Sequence, residues 1–90
     1  MLALPAQLTL RDARSTLASL TSAIAQAPGG TVTMDASALT HIDSSALAVL
    51  LECRRQAEQR QCAFEVQHAP ARLIELARLY GVQDLLGLRG

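Results

Sequence analysis

Large rings are nearly absent from this sequence: Phe64 and Tyr80 are its only aromatic residues, and there is no tryptophan. A core must therefore come from Leu, Ala, Val and Ile, with little anchoring by large side chains. Lysine is missing as well, and eight arginines are balanced by eight Asp and Glu, for a net charge of zero. Such a chain exerts no general pull on nucleic acid or anionic lipid. It also lacks a zinc-finger spacing and interleaved basic and aromatic residues, so nucleic acid is not an expected partner. Cys53 and Cys62 form neither a C-x-x-C redox pair nor a zinc half-site, and both read as buried thiols in a reducing, cytoplasmic setting. No stretch reaches the roughly 18 apolar residues of a membrane span. The opening M-L-A-L-P carries neither the basic residue nor the apolar run of a secretory signal. A cytoplasmic protein that does not insert into the bilayer is the expectation.

What is present is apolar material, at half of all residues. Ninety residues allow one domain over 1–90 and one modest core; chains of this size hide only about 60 to 68% of their extended surface. The apolar content is high for such a domain, which leaves some of it for a partner.

The chain is organised around Val32 to Leu51, V-T-M-D-A-S-A-L-T-H-I-D-S-S-A-L-A-V-L-L. Alternation through Val32 and Met34 predicts a central strand over Thr31 to Ala36. A loop from Ser37 to Ile42 follows, anchored by Leu39 and Ile42, and then a helix from about Ser45 to Arg60. Ala46, Val49, Leu50, Cys53 and Ala57 share its inner face, Leu47 and Leu51 widen the apolar surface near its start, and the charged residues lie mostly outside. Asp43, Ser44 and Ser45 sit at the helix start, where short oxygen-bearing side chains accept bonds from free N–H groups. Two serines exceed what one cap needs, so an exposed hydroxyl there is also a candidate contact or phosphorylation point.

Upstream, Leu2 to Leu10 reads as extended, with Pro5 marking either an edge strand or a turn between two short stretches. Asp12 to Ala27 is a helix with Ala13, Leu17, Leu20 and Ile24 on one face and Asp12 as cap or first-turn acid; Pro28-Gly29-Gly30 ends it. Downstream, Cys62 to Gln67 is a strand, Pro70 opens a helix whose buried stripe is Leu73, Leu76, Ala77 and Tyr80, and Gly81 stops it. The tail packs Val82, Leu85 and Leu86 as a short helix or irregular segment. Repeated strand–helix units predict an α/β fold, a mixed or parallel sheet with helices packed against it.

No catalytic, cofactor or metal constellation emerges. His41 and His68 have no second histidine or cysteine at ligand spacing. His41, Asp43 and Ser44 are sequence neighbours, but nothing in their spacing dictates an oriented base and an oxyanion site. A G-x-x-x-x-G-K-[ST] phosphate loop is absent, and the expectation is a protein that is not an enzyme.

The stretch L-T-H-I-D-S-S-A-L-A-V-L-L, Leu39 to Leu51, resembles the signature of STAS domains, in which a strand and loop lead into D-S/T-S/A-G-L-x-x-L at a helix start. The later A-P-A-R-L-I-E-L-A-R-L-Y-G-V, Ala69 to Val82, is similar to the MlaB-type branch, the small STAS subunits of bacterial phospholipid ABC transporters that maintain outer-membrane lipid asymmetry. The resemblance implies a small STAS-like fold and a non-catalytic regulatory or stabilising subunit. Its partner would be a cytoplasmic ABC ATPase, with an inner-membrane permease reached only indirectly, and a second copy of the chain is a further candidate. Ser44 would be the partner-binding residue and phosphosite equivalent, with His41, Asp43, Ser45, Leu47 and Leu51 in the same contact surface. The alternative it implies is an anti-sigma factor antagonist switched by phosphorylation of Ser44. Two departures stand out: Ala46 replaces the usual glycine, and the family's first strand is shortened to Met1 to Leu4 or lacking, which would expose a sheet edge.

Overall fold

The computed structural model describes residues 1–90. Strands β1 (Leu2–Ala3) and β2 (Gln7–Leu8) lead into α1 (Leu10–Gln26). Then come β3 (Thr31–Asp35), β4 (His41–Ile42), α2 (Ser44–Gln59), β5 (Ala63–Gln67), α3 (Ala71–Leu79) and the short α4 (Gln83–Leu86). Three strands pair in parallel in the order β1-β3-β5, and β2 with β4 forms a separate parallel pair. This is the strand–helix alternation that the sequence predicts.

Period-2 alternation divides the larger sheet. Val32, Met34 and Val66 are buried on one face, under the helices. The other face carries Thr33, Glu65 and Gln67, where Glu65 Oε1 accepts from the Thr33 hydroxyl (3.2 Å) and from Gln67 Nε2 (2.9 Å). Because β1 pairs only with Met34 and Asp35, the segment Thr31 to Thr33 has no strand on that side. The opposite edge is extended by Leu88, which bridges to Val66. Gly87 makes that return: its φ is +58°, and a Cβ there would lie 3.1 Å from the Phe64 carbonyl oxygen.

All buried residues are hydrophobic, so the core is specified by packing alone. Leu8, Ile24, Met34, Leu50, Leu73 and Leu86 are its large, fully buried members. Leu39 and Ile42 anchor the loop as expected. Cys53 and Cys62 are buried and unpaired; burial, with a smaller contribution from Glu52, pushes the Cys53 thiol up to about 12, so it stays protonated and acts as core filler.

Of the two readings of Leu2 to Leu10 the turn holds: Pro5-Ala6 separates two short strands that belong to different pairs. Other expectations are corrected. Leu10 is the first residue of α1, because Thr9 is its cap and donates through both its N–H (3.3 Å) and its hydroxyl (3.0 Å) to Asp12 Oδ2. His41 and Ile42 pair with β2 although a loop is expected there; two residues are too few for alternation to be visible. Pro70 precedes α3 as its cap residue. Tyr80 and Leu85, expected to pack inward, are 58% and 48% exposed. Tyr80 follows the end of α3, and Leu85 points away from the core while Leu86 enters it.

Candidate functional site

The candidate site is built by one carboxylate. Asp43 precedes α2 in an extended conformation, and its Oδ1 accepts from the Ser45 N–H at 2.8 Å, an ordinary helix cap. Its Oδ2 accepts from the Leu10 N–H at 3.0 Å, the first residue of α1. One side chain thus caps two helices that are 33 positions apart in sequence at this bond. The Leu10 bond, and after it the Ser45 bond, holds the Asp43 carboxyl below its ordinary value of 3.8. At their other ends the same helices are joined by Arg60, whose guanidinium donates to the Ile24 carbonyl and, at 2.8 Å, to the Ala27 carbonyl.

A pH prediction follows, with its sign fixed by the depressed value. The Asp43 contribution is complete above the unfolded value and is lost as pH falls through the lowered folded one. Asp43→Asn replaces an acceptor oxygen with an NH2 group aimed at an N–H. Its melting temperature should fall below that of the parent at neutral pH, and the gap should close as pH drops below about 4. Thermal melts across pH read this directly; a gap unchanged from neutral to acid pH would show that the charge is not what joins the helices.

With Asp43 as the cap, the hydroxyl of Ser44 is left over. Ser44 is exposed in the first position of α2, with Ala48 exposed one turn later. Two apolar surfaces flank this ridge. On one side Ser44, Leu47, Ala48 and Leu51 meet Tyr80 and Val82 around a hollow of about 240 Å³. On the other, Ser45, Ala48 and Val49 face α1 across a larger groove. Exposed Leu10 stands at one flank, exposed Tyr80 and Leu79 at or next to the other.

Each residue singled out in the sequence has a definite place. Ser44 is exposed, Ser45 and Leu51 are half-buried, and His41 is exposed with Nδ1 3.0 Å from the Thr40 hydroxyl. Asp43 is occupied by its two caps. Leu47 is only 4% exposed, so it floors the hollow and offers little surface of its own. Ala46, at the usual glycine position, is fully buried, and its methyl belongs to the core and not to the ridge. Leu10, Tyr80 and Ala48 were not legible as site residues. Ala48 does have a sequence signal: it stands between the buried Leu47 and Val49, one helical turn from Ser44.

Fold and site together define a small parallel α/β domain that presents an unengaged hydroxyl on a helix start between two apolar flanks, a surface of the kind that docks proteins. The chain belongs to the STAS family: the family model described as "Mlab, STAS domain" matches residues 1–88. Among solved structures it is similar to an anti-sigma-factor antagonist (STAS) domain protein from Planctomyces limnophilus. The TM-score is 0.81 and the identity 15%, over 97% of this chain and 77% of that one. At that identity the likeness carries the fold. No curated protein matches the sequence. STAS domains in general are non-catalytic, and no helix here is long and apolar enough to cross a membrane.

Proposed function

We propose that this chain is a non-catalytic subunit that binds and stabilises the cytoplasmic ATPase of a phospholipid ABC transport system. It docks through the Ser44 ridge and its Leu51–Tyr80–Val82 flank, and reaches the inner membrane and the permease only through that complex. The observation that carries the reading is the position of Ser44: exposed on the helix start, released from capping by Asp43, and bordered by apolar side chains. The branch named by the matching family model favours a transporter partner. Co-expression with the ATPase of such a transport system from the same organism should give a complex that co-purifies. Absence of association at micromolar concentrations would refute the reading.

A second reading is supported by the same hydroxyl and by the structural relative, an anti-sigma-factor antagonist. A phosphate on Ser44 adds about −1.5 to −2 charge to an apolar surface, enough to eject a bound partner. Incubation with the cognate anti-sigma kinase and ATP, followed by intact-mass measurement, separates the two: a phosphate addition that is lost in Ser44→Ala supports signalling. Under either reading Ser44→Ala itself should melt within about 0.5 kcal/mol of the parent, as surface substitutions do, because it removes no cap. A larger loss in a thermal melt would mean that the hydroxyl serves the scaffold.

A further inference from the structure

The larger groove, on the α1 side of the ridge, goes beyond that reading. It holds about 730 Å³ and runs along Leu10, Ala13, Leu17 and Ala18 of α1 opposite Ala48 and Val49 of α2. The α1 residues that line it, Leu10 to Ser22, extend over about 18 Å, or three helical turns. Half of its lining residues are alanine or leucine, and the small side chains let another backbone come close. Leu10, at its mouth, is 77% exposed.

The groove is also electrostatically one-sided. Arg14 lines it, and Arg11 lies on the same face of α1, about 20° around the helix from Ala18. Neither arginine has an ion pair, since the only ion pairs are Arg54–Glu58, Arg55–Glu52 and Arg89–Glu65. None of the acids nearby pairs with them: Asp12 accepts from Thr9, Asp43 accepts from the Leu10 and Ser45 N–H groups at the Leu10 end of the groove, and Glu52 pairs with Arg55. An apolar trough with two arginines along one wall that make no ion pair is complementary to an apolar stripe flanked by carboxylates.

We infer that this groove seats an acidic amphipathic α-helix of a partner protein, with apolar anchors at i, i+3 or i+4, and i+7 between α1 and α2 and carboxylates against Arg11 and Arg14. An open trough between two helices suits ridge-into-groove packing of a third helix. It does not suit a small ligand, which needs enclosure on most sides. A second copy of this chain does not fit, because none of its helices offers an acidic surplus beside an exposed apolar stripe. α1 brings its own arginines, the Glu52 and Glu58 charges of α2 are paired, α3 carries Arg72 and Arg78 against Glu75, and α4 is a single turn.

The test uses the whole chain and two fluorescein-labelled synthetic helical peptides of about three to four turns. They share one leucine stripe, flanked by Glu in the first and by Lys in the second. Fluorescence anisotropy should show the Glu peptide binding at least about tenfold more tightly than the Lys peptide. Arg11→Glu with Arg14→Glu should reverse that order, and Ala18→Arg, which fills the trough from an exposed position, should weaken the Glu peptide by a similar factor without lowering the melting temperature. If the double variant fails to fold, Arg14→Gln serves in its place and should reduce the preference. Ser44→Arg should leave peptide binding unchanged, which separates this groove from the proposed ATPase surface. Equal affinity for the two peptides, no binding of the Glu peptide, or indifference to the arginine substitutions would overturn the inference. So would concentration-dependent self-association abolished by Ala18→Arg, or pelleting with phosphatidylglycerol vesicles that depends on Arg11 and Arg14 while the peptides are ignored.

Discussion

Leu50→Asp should abolish the cooperative thermal transition of this domain. Leu50 is completely buried in α2, on the face it shares with Ala46, Val49, Cys53 and Ala57. Deleting a buried leucine side chain costs about 2 to 5 kcal/mol. A buried carboxylate without a partner costs several kcal/mol more, and there is no buried polar group in this core to receive it. A small domain holds only about 5 to 15 kcal/mol in total, so the sum is comparable with all that a domain of this size has. Ala48→Asp is the matched control, two positions away on the exposed side of the same helix. It places the same charge in the first two turns, where the helix dipole tolerates an acid, and should melt close to the parent. Circular dichroism melts of the pair decide the matter: an unchanged melting temperature for Leu50→Asp would mean that α2 is rotated from the phase described.

Ser44→Arg should leave the free domain folded and cost most of the partner affinity. The scaffold half of that statement rests on Asp43, which already caps α2 through Ser45 and α1 through Leu10, so Ser44 contributes no bond to either helix. The binding half rests on the surroundings of the site. A guanidinium introduced between Ala48 and the Leu51, Tyr80 and Val82 surface must be desolvated by any partner that covers the ridge, and the nearest carboxylate, Asp43, is committed to two N–H groups. A buried charge left without a mate costs a complex about 2 to 4 kcal/mol, or about 30- to 1,000-fold in affinity. Thermal melting of the free variant and titration into the proposed ATPase partner measure the two halves separately. Unchanged affinity would put Ser44 outside the contact surface. A variant that no longer folds would make the serine part of the scaffold.

The long elements were legible because each offers several turns or pleats of pattern: the alternation of Val32 and Met34, and the inner stripe from Ala46 to Ala57. The recognisable helix start at Asp43-Ser44-Ser45 also pointed to the ridge itself. What escaped is what depends on residues distant in sequence. The strands β2 and β4 are two residues each and exist only because they pair with one another, with Thr40 and His41 both donating from the backbone to the Ala6 carbonyl. Leu10 continued the apolar spacing of Leu4 and Leu8, and only the Thr9–Asp12 cap and the distant Asp43 carboxylate turn it into a helix residue facing solvent. Tyr80 fell on the helical spacing of Leu73, Leu76 and Ala77, but α3 ends at Leu79, before that spacing could carry the ring inward. The apolar flanks of the ridge are thus tertiary products, made by placing α1 and the end of α3 on either side of α2.

The central claim, that the start of α2 is the docking surface, is tested most directly by amide hydrogen exchange on the chain alone and in complex with the proposed ATPase partner. The account predicts added protection over His41 to Leu51 and around Tyr80 and Val82, with the open sheet face at Thr33, Glu65 and Gln67 exchanging as in the free domain. Protection confined to that sheet face or to the uncovered edge of β3, with the Ser44 segment unchanged, would contradict it.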